Sequence, residues 1–246
     1  MSDSDRQQNP RTATKGRRRV ARAAATALAA VTACTSLAWG AVLLTGESAG
    51  AKPPAPPPPD CAYTPTGTGK SALPSFDSAA AARPYTATLV TNLGTVTIEA
   101  LTGRAPCATN SFAFLARKGY FDGSRCHRLT TKGIFVLDCG DPTGDGKADP
   151  GYFFRDENLA GASYPAGTVA MSKVVPGRNG SQFFISYADP ELRMPPEWTP
   201  FGKVTSGLDV LKKIAGNGTA DGSSDGKPKD PVVIQSVTVQ QRADGR

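Results

Sequence analysis

A long uncharged segment near the N-terminus of this chain of 246 residues separates a short basic segment from the rest of the sequence. The segment runs from Ala23 to Gly46, and as a helix it would be about 36 Å long, enough to cross a hydrocarbon core of about 30 Å. The preceding residues, 1–22, hold seven Lys or Arg side chains and two Asp, which predicts a cytoplasmic N-terminus. We therefore expect a transmembrane anchor over 23–46, with the following chain outside the cytoplasm.

Two kinds of processing compete with the anchor. Small residues from Ala49 to Ala51 match a signal-peptidase site, so cleavage near Ala51 would release a secreted protein. The sequence from Val31 to Cys34 resembles a bacterial lipobox, which would make Cys34 a lipidated first residue. The apolar run is longer than the core of an ordinary signal peptide, which favours the anchor. All three alternatives place the rest of the chain beyond the membrane.

Export changes the interpretation of the cysteines. Four of the five follow the apolar run, namely Cys61, Cys107, Cys126 and Cys139. An even number in an oxidising compartment predicts two disulfides, and four cysteines allow three connectivities. The chain between Cys126 and Cys139 could double back as a hairpin, which favours that pair together with Cys61–Cys107. There is no Cys-x-x-Cys motif and His127 is the single histidine, so we predict no metal and no cofactor.

The net charge of +7 does not indicate nucleic-acid binding, because most of it lies at the N-terminus. Residues 1–22 contribute +5 and the remaining chain only +2. The later sequence contains no basic stripe with interleaved aromatic side chains, which single-stranded nucleic acids would require. We therefore predict that nucleic acid is not a partner.

Composition also separates a linker from a folded domain. Residues 47–84 are rich in Pro, Gly and Ala, and the series from Pro53 to Pro59 predicts an extended polyproline spacer. A domain is expected over 85–240, followed by a short tail over 241–246. The segments 1–22 and 23–46 then precede this linker as a cytoplasmic segment and an anchor.

The pattern of residues 85–240 predicts mainly β-structure. A hairpin is expected between Tyr85 and Ala100, where two alternating β-branched runs flank an Asn/Gly turn. Helices are expected after Pro106 up to Gly119, and over about Gly207–Ala215. Further strands are predicted at 124–129, 134–138, 167–171, 183–186, 199–204 and 232–240. Many short strands with two helices indicate a closed antiparallel barrel with helical caps.

One stretch concentrates several signals. The turn pair Asn179-Gly180 precedes an amide, Gln182, and two adjacent aromatic residues, Phe183 and Phe184. Successive side chains of a strand point to opposite faces, so one ring should enter a core while the other lines a surface.

Several motifs follow one another through the domain: Cys-His-Arg at 126–128, Gly-Asp at 140–141, Gly-Ser-Gln-Phe-Phe at 180–184 and Phe-Gly-Lys-Val at 201–204. Their order and spacing resemble the cyclophilin family of peptidyl-prolyl isomerases over about residues 85–240. The resemblance implies a closed eight-stranded antiparallel β-barrel capped by two α-helices, with a surface groove for proline-containing polypeptides. We expect the protein to be a monomer.

The resemblance also assigns roles to matching positions. It implies that Arg128 is the catalytic arginine, that Phe135 and Phe184 are walls of a proline pocket, and that Gln182 binds the substrate backbone. Phe183 should then face the barrel interior. The other positions expected to border the groove are Leu192 or Met194, Trp198, Ser172 and Lys173.

Three features depart from the family pattern. The loop after Arg128 is about two residues longer than usual and lacks proline. Asp138 stands where a glutamine usually steadies the arginine, and a carboxylate there could pair with Arg128 and draw donor capacity away from substrate. Ser172 and Lys173 replace an Ala-Asn pair, which is expected to add one basic side chain near the substrate path.

Isomerisation of an X–Pro bond is chemically compatible with such a site, because no nucleophile is needed. The barrier of roughly 18–20 kcal/mol arises from amide resonance, and a fixed donor can stabilise the twisted amide. The sequence therefore predicts a peptidyl-prolyl cis-trans isomerase acting on exported proteins. The alternative is a proline-peptide binding module or folding chaperone with weak or no isomerase activity. A hydrolase is disfavoured by the single histidine, because the nucleophile of such an enzyme depends on a histidine base.

Overall fold

The computed structural model describes residues 60–67 and 72–242. The predicted basic N-terminal segment, the anchor over 23–46 and the alternative processing sites at Cys34 and Ala51 lie outside these residues. Within the described part, no helix is both long and apolar enough to cross a membrane.

The described chain contains three helices and eleven strands. The helices are α1 (Ser78–Ala81), α2 (Pro106–Arg117) and α3 (Leu208–Gly216). The strands are β1 (Thr64–Pro65), β2 (Tyr85–Thr91), β3 (Gly94–Ala100), β4 (Arg128–Thr130), β5 (Val136–Cys139), β6 (Tyr152–Phe153), β7 (Thr168–Met171), β8 (Phe183–Ser186), β9 (Pro200–Ser206), β10 (Asp225–Gly226) and β11 (Ile234–Gln241). Each predicted strand overlaps an observed strand. The two-residue strands β1, β6 and β10 have no alternating apolar pattern and were not predicted.

Nine strands form one antiparallel sheet in the order β10-β4-β5-β8-β7-β9-β3-β2-β11, and β1 pairs separately with β6. The prediction of a mainly β fold is confirmed, but the closed eight-stranded barrel is not. Within residues 60–67 and 72–242, the edge strands β10 and β11 do not pair with each other. The sheet still curls, because Cys126 N donates to Val232 O at 3.0 Å and Ile234 N donates to Ser124 O at 2.9 Å. These isolated bonds bring the start of β11 beside the chain entering β4, without a continuous ladder.

The main core lies between the curled sheet and the helices. In the β2–β3 hairpin every second residue points inward, and Leu89, Val96 and Ile98 are almost fully buried. Helix α2 contributes Phe112, whose ring lies 5.2–5.5 Å from three other aromatic rings, those of Phe121, Phe183 and Phe201. Such aromatic packing anchors the back of β8, whose other face carries site residues.

Two disulfides tie the domain together, and their pairing is the one favoured by the sequence. Cys61 and Cys107 have Cα atoms 5.4 Å apart, and those of Cys126 and Cys139 are 4.0 Å apart. The bonded sulfurs are not free to bind a metal, and the described residues contain no group of three His, Cys, Asp or Glu side chains suited to one.

Part of the predicted linker is packed on the domain. Residues 60–67, here called the N-terminal arm, are held by the Cys61–Cys107 disulfide and by the pairing of β1 with β6. The hydroxyl of Tyr63 donates to Cys107 O at 2.9 Å, and its ring packs edge-on against Tyr152. This arrangement differs from the expected irregular spacer, because the disulfide and the aromatic contacts together offset the entropy of ordering the arm.

Candidate active site

Strand register places predicted site residues in one row across four strands. Arg128 of β4 lies opposite Asp138 of β5, which lies opposite Phe184 of β8, which lies opposite Ala170 of β7. Directly opposed residues of an antiparallel sheet point to the same face. Because neighbouring strands are about 4.8 Å apart, the backbones at Arg128 and Phe184 are separated by roughly 10 Å.

The adjacent phenylalanines point to opposite faces, as strand geometry requires. Phe183 is fully buried in the main core, where it contacts the rings of Phe112 and Phe201. Phe184 belongs to a second, separate group of apolar residues on the outer face of the sheet.

This second group, here called the apolar cluster, surrounds the Phe184 ring. Its other buried members are Val136, Tyr164 and Ala170, and its half-buried members are Ile134, Ala162, Met194 and Trp198. The ring centroids of Tyr164 and Trp198 lie 5.7 and 6.2 Å from that of Phe184. Tyr164 also fixes the segment before β9, since its hydroxyl donates to Trp198 O at 2.8 Å and accepts from Trp198 N at 2.9 Å. The cluster thus forms a firm apolar surface with partly exposed walls.

Two residues expected in the proline pocket are not in the apolar cluster. Phe135 packs against Tyr187 at 5.8 Å and against the main core, while Ile134 and Val136 contact the cluster instead. Alternation along the chain entering β5 explains this difference, because positions 134, 136 and 138 share a face that position 135 does not. Of the two alternatives for another wall, Met194 joins the cluster whereas the Leu192 side chain is largely exposed.

Gln182 lies beside the row and is held by the loop after β5. Its Nε2 donates to the carbonyl oxygens of Gly146 and Ala148, both at 3.1 Å. Buried Asp141 organises this loop by accepting several hydrogen bonds. Burial alone would raise the pKa of Asp141, but the hydrogen bonds, of which those from Thr143 have the largest effect, lower this pKa to about 2. Because both bonds use the amide nitrogen, the amide oxygen is left to accept a hydrogen bond from a ligand.

A cavity of about 200 Å³ adjoins Gln182. Ser172 and Lys173 border it, together with Val174, Val175 and Arg178. Thr66 of the N-terminal arm also lines the cavity, and its hydroxyl donates to Asp149 Oδ1 at 3.0 Å. The arm therefore contributes to a wall of this cavity, although it precedes the domain predicted over 85–240.

Lys173 borders this cavity as a basic side chain, but its positive charge is paired with a carboxylate. Its Nζ contacts both carboxylate oxygens of Asp156 at 2.6 Å and donates to Glu197 O. The Lys173 side chain is only 7% exposed, so the ammonium is neutralised inside the protein. These contacts tie the loop after β7 to the segment after β6 and to the segment before β9.

Two carboxylates hold the Arg128 guanidinium. Nη1 donates to Asp138 Oδ2 at 3.0 Å, while Nε and Nη2 donate to the two oxygens of Asp225, each at 2.8 Å. The hydrogen bonds to Asp225 are the main cause of a raised pKa of Arg128, which partial burial opposes. Burial raises the pKa of Asp138, with Arg128 acting in the opposite direction. The pair with Asp138 was predicted, but Asp225 lies 97 residues away in a loop without any site motif.

Comparison with known proteins gives the same family for sequence and fold. The family described as "Cyclophilin type peptidyl-prolyl cis-trans isomerase/CLD" matches residues 86–239. The "Probable peptidyl-prolyl cis-trans isomerase B" of Mycobacterium tuberculosis is 40% identical over 196 residues, covering 74% of this chain and 62% of that protein. A "Peptidyl-prolyl cis-trans isomerase-like 1" of Gibberella zeae is 34% identical over 155 residues, covering 61% of this chain and 92% of that protein.

Solved structures agree with these sequence matches. A Cryptosporidium parvum cyclophilin-type peptidyl-prolyl cis-trans isomerase superposes with a TM-score of 0.56 at 28% identity, covering 65% of this chain and 99% of that one. Another structure of it, determined in the presence of the dipeptide Ala-Pro, has a TM-score of 0.55 at 29% identity, covering 64% and 99% of the two chains. Because the family match spans most of the described residues, the chain belongs to the family of cyclophilin-type peptidyl-prolyl cis-trans isomerases.

Proposed function

We propose that this protein catalyses cis–trans isomerisation of X–Pro bonds in exported polypeptides. The observation that supports the proposal most directly is the row in which Arg128 and Phe184 share one face, two strands apart. A proline residue combines an apolar ring with a polar amide. The row presents an apolar surface at Phe184 and a cationic donor at Arg128, so the ring and the amide of one proline residue could each meet a suitable partner.

The geometry suggests a separate role for the apolar cluster, for Gln182 and for Arg128. The apolar cluster around Phe184 would hold the pyrrolidine ring, and the free amide oxygen of Gln182 would accept a backbone N–H of the substrate. An arginine has five N–H donors, and three of those of Arg128 are used by Asp138 and Asp225. The other two can point at the rotating amide, where a fixed donor favours the nitrogen that has lost conjugation. No covalent step is involved.

The test is exchange spectroscopy by NMR on a peptide containing Ala-Pro, with the full chain in detergent micelles. Uncatalysed exchange takes tens to hundreds of seconds, so a catalytic amount of protein should bring cis–trans exchange into the range of a second or faster. Leu93→Ala is a suitable control, because Leu93 is exposed in the turn between β2 and β3 and outside the apolar cluster, and should leave the rate unchanged. Exchange at the uncatalysed rate would contradict the proposal.

A binding module without efficient catalysis is the second candidate, and the double carboxylate contact of Arg128 is the observation that favours it. Peptide binding can be followed separately from turnover through the fluorescence of Trp198, whose ring packs on Phe184. Trp198→Phe identifies the contribution of this tryptophan to the signal. Saturable fluorescence changes without accelerated exchange would support the binding module.

We also propose that the domain acts outside the cytoplasm, attached to the membrane by residues 23–46. The two disulfides support an oxidising location, because cytosolic thiols are kept reduced. Thiol labelling without reductant, on protein extracted from its own cells, should find no free thiol among the four bonded cysteines. Complete labelling of all four would contradict this location. The mass of the N-terminal peptide distinguishes the anchor from cleavage near Ala51 and from lipidation at Cys34.

A further inference from the structure

Asp225 makes the most extensive contact of any side chain with Arg128, although it lies far along the chain in the short strand β10, between α3 and β11. Both of its oxygens accept hydrogen bonds from one edge of the guanidinium, at 2.8 Å each. We infer that Asp225 limits the activity of Arg128 by holding it in this carboxylate pair and by competing with the substrate amide. The inference rests on the proposed isomerase function.

The strand register brings Asp225 to the outer face of the sheet. In the short ladder between β10 and β4, Asp225 lies opposite Thr130. Thr130 and Arg128 are two residues apart on β4, so their side chains share a face. Asp225 and Arg128 are therefore diagonal neighbours, a distance that long side chains can span.

The loop holds Asp225 in place with bonds that do not involve Arg128. Ser223 Oγ donates to Asp225 O at 2.8 Å, and Thr131 N donates to Ser224 O at 2.8 Å. At the base of the loop, Lys229 N donates to Gly218 O at 2.9 Å. The backbone at Asp225 is therefore fixed beside β4 within reach of Arg128, and the guanidinium must break the pair if it is to turn fully towards a substrate.

The charges around the guanidinium also favour a limiting role. Two acidic side chains face one cation, and the Asp225 carboxylate compensates the charge of the guanidinium along the edge that it contacts. The two carboxylates differ in accessibility, since the side chain of Asp138 is 4% exposed and that of Asp225 is 55% exposed. Asp138 cannot be removed without disturbing buried structure, whereas solvent can replace Asp225. Solvent also screens Asp225, which restricts its expected effect to roughly one order of magnitude.

Asp225→Asn tests the inference in the NMR exchange assay with an Ala-Pro peptide. We expect kcat to rise about tenfold, corresponding to about 1.4 kcal/mol, with KM within twofold, because the change acts on the transition state more than on ground-state binding. Asp225→Glu retains the charge, so its kcat should remain much closer to that of wild type. Asp230→Asn is the matched control, since Asp230 is in the same loop but contacts Asn217 and not Arg128.

The outcomes separate this inference from the proposed function. If the wild type isomerises the peptide and Asp225→Asn is equal or slower, Asp225 is neutral or positions Arg128 productively, and the inference is overturned while the function stands. If none of these proteins isomerises the peptide, both are overturned. The Nε–H signal of Arg128 provides a readout independent of activity, because its proton should exchange faster with solvent once the Asp225 pair is weakened.

Discussion

Arg128→Lys is expected to lower kcat/KM for an Ala-Pro peptide by about a hundredfold to a thousandfold, the range found when one preorganised transition-state donor is removed. Lysine retains the positive charge beside Asp138, but its ammonium cannot reproduce the planar arrangement that contacts Asp138, Asp225 and a substrate at once. NMR exchange rates measured at several peptide concentrations separate the effect on kcat from that on KM.

Arg128→Lys tests the role of Arg128 in catalysis more directly than Arg128→Ala does. Arg128→Ala would leave buried Asp138 without its cationic partner, which costs several kcal/mol and could unfold part of the sheet. Arg125→Lys is the matched control, because Arg125 is exposed, precedes β4 and makes no contact with either aspartate among the described residues. A rate for Arg128→Lys within twofold of wild type, at unchanged thermal stability, would remove Arg128 from the mechanism.

Phe183→Ala is expected to reduce the free energy of unfolding by about 3–5 kcal/mol, as for other fully buried aromatic residues. The deleted ring would leave a cavity among Phe112, Phe121 and Phe201, where packed α2 and β9 restrict relaxation. Equilibrium denaturation in urea, followed by circular dichroism, measures this change. Peptide affinity of the protein that remains folded should be close to that of wild type.

Phe184→Ala provides the matched comparison at the next residue. Its ring packs in the apolar cluster, where half-buried Met194 and Trp198 can move towards the vacated space and solvent can enter. We expect a smaller loss of stability and at least tenfold weaker peptide binding. If Phe183→Ala weakened binding more than Phe184→Ala did, the assignment of the two faces would be wrong.

Much of the sheet could be predicted because its signals are local. Alternating residues identified the β2–β3 hairpin, and the turn pair Asn179-Gly180 indicated the strand β8. The opposite faces of Phe183 and Phe184 follow from the two-residue period of a strand. The same period, applied from Asp138 backwards, indicates Ile134 and Val136 as the cluster residues. Phe135 was assigned by family resemblance alone, which matches positions in a sequence without reporting which face a side chain occupies.

Contacts between distant loops could not be predicted in this way. The sequence indicates a basic side chain at Lys173, but it does not show which residues surround that side chain. The fold places the Asp156 carboxylate against it. The strand β10 has two residues and no apolar alternation, so no local pattern locates it beside β4. Strand count and closure depend on such short pairings, and for this reason the predicted closed eight-stranded barrel is not confirmed.

The sequence by itself determined the family, most strands and the helices α2 and α3, and it predicted that Arg128, Gln182 and Phe184 belong to one site. These features depend on periodicity and on motifs whose residues are close together in the chain. Only the tertiary structure decided which side chains share the site with Arg128. Asp138 and Asp225 approach the guanidinium from β5 and β10 because strand pairing brings together residues 10 and 97 positions away, and no local propensity records such a pairing.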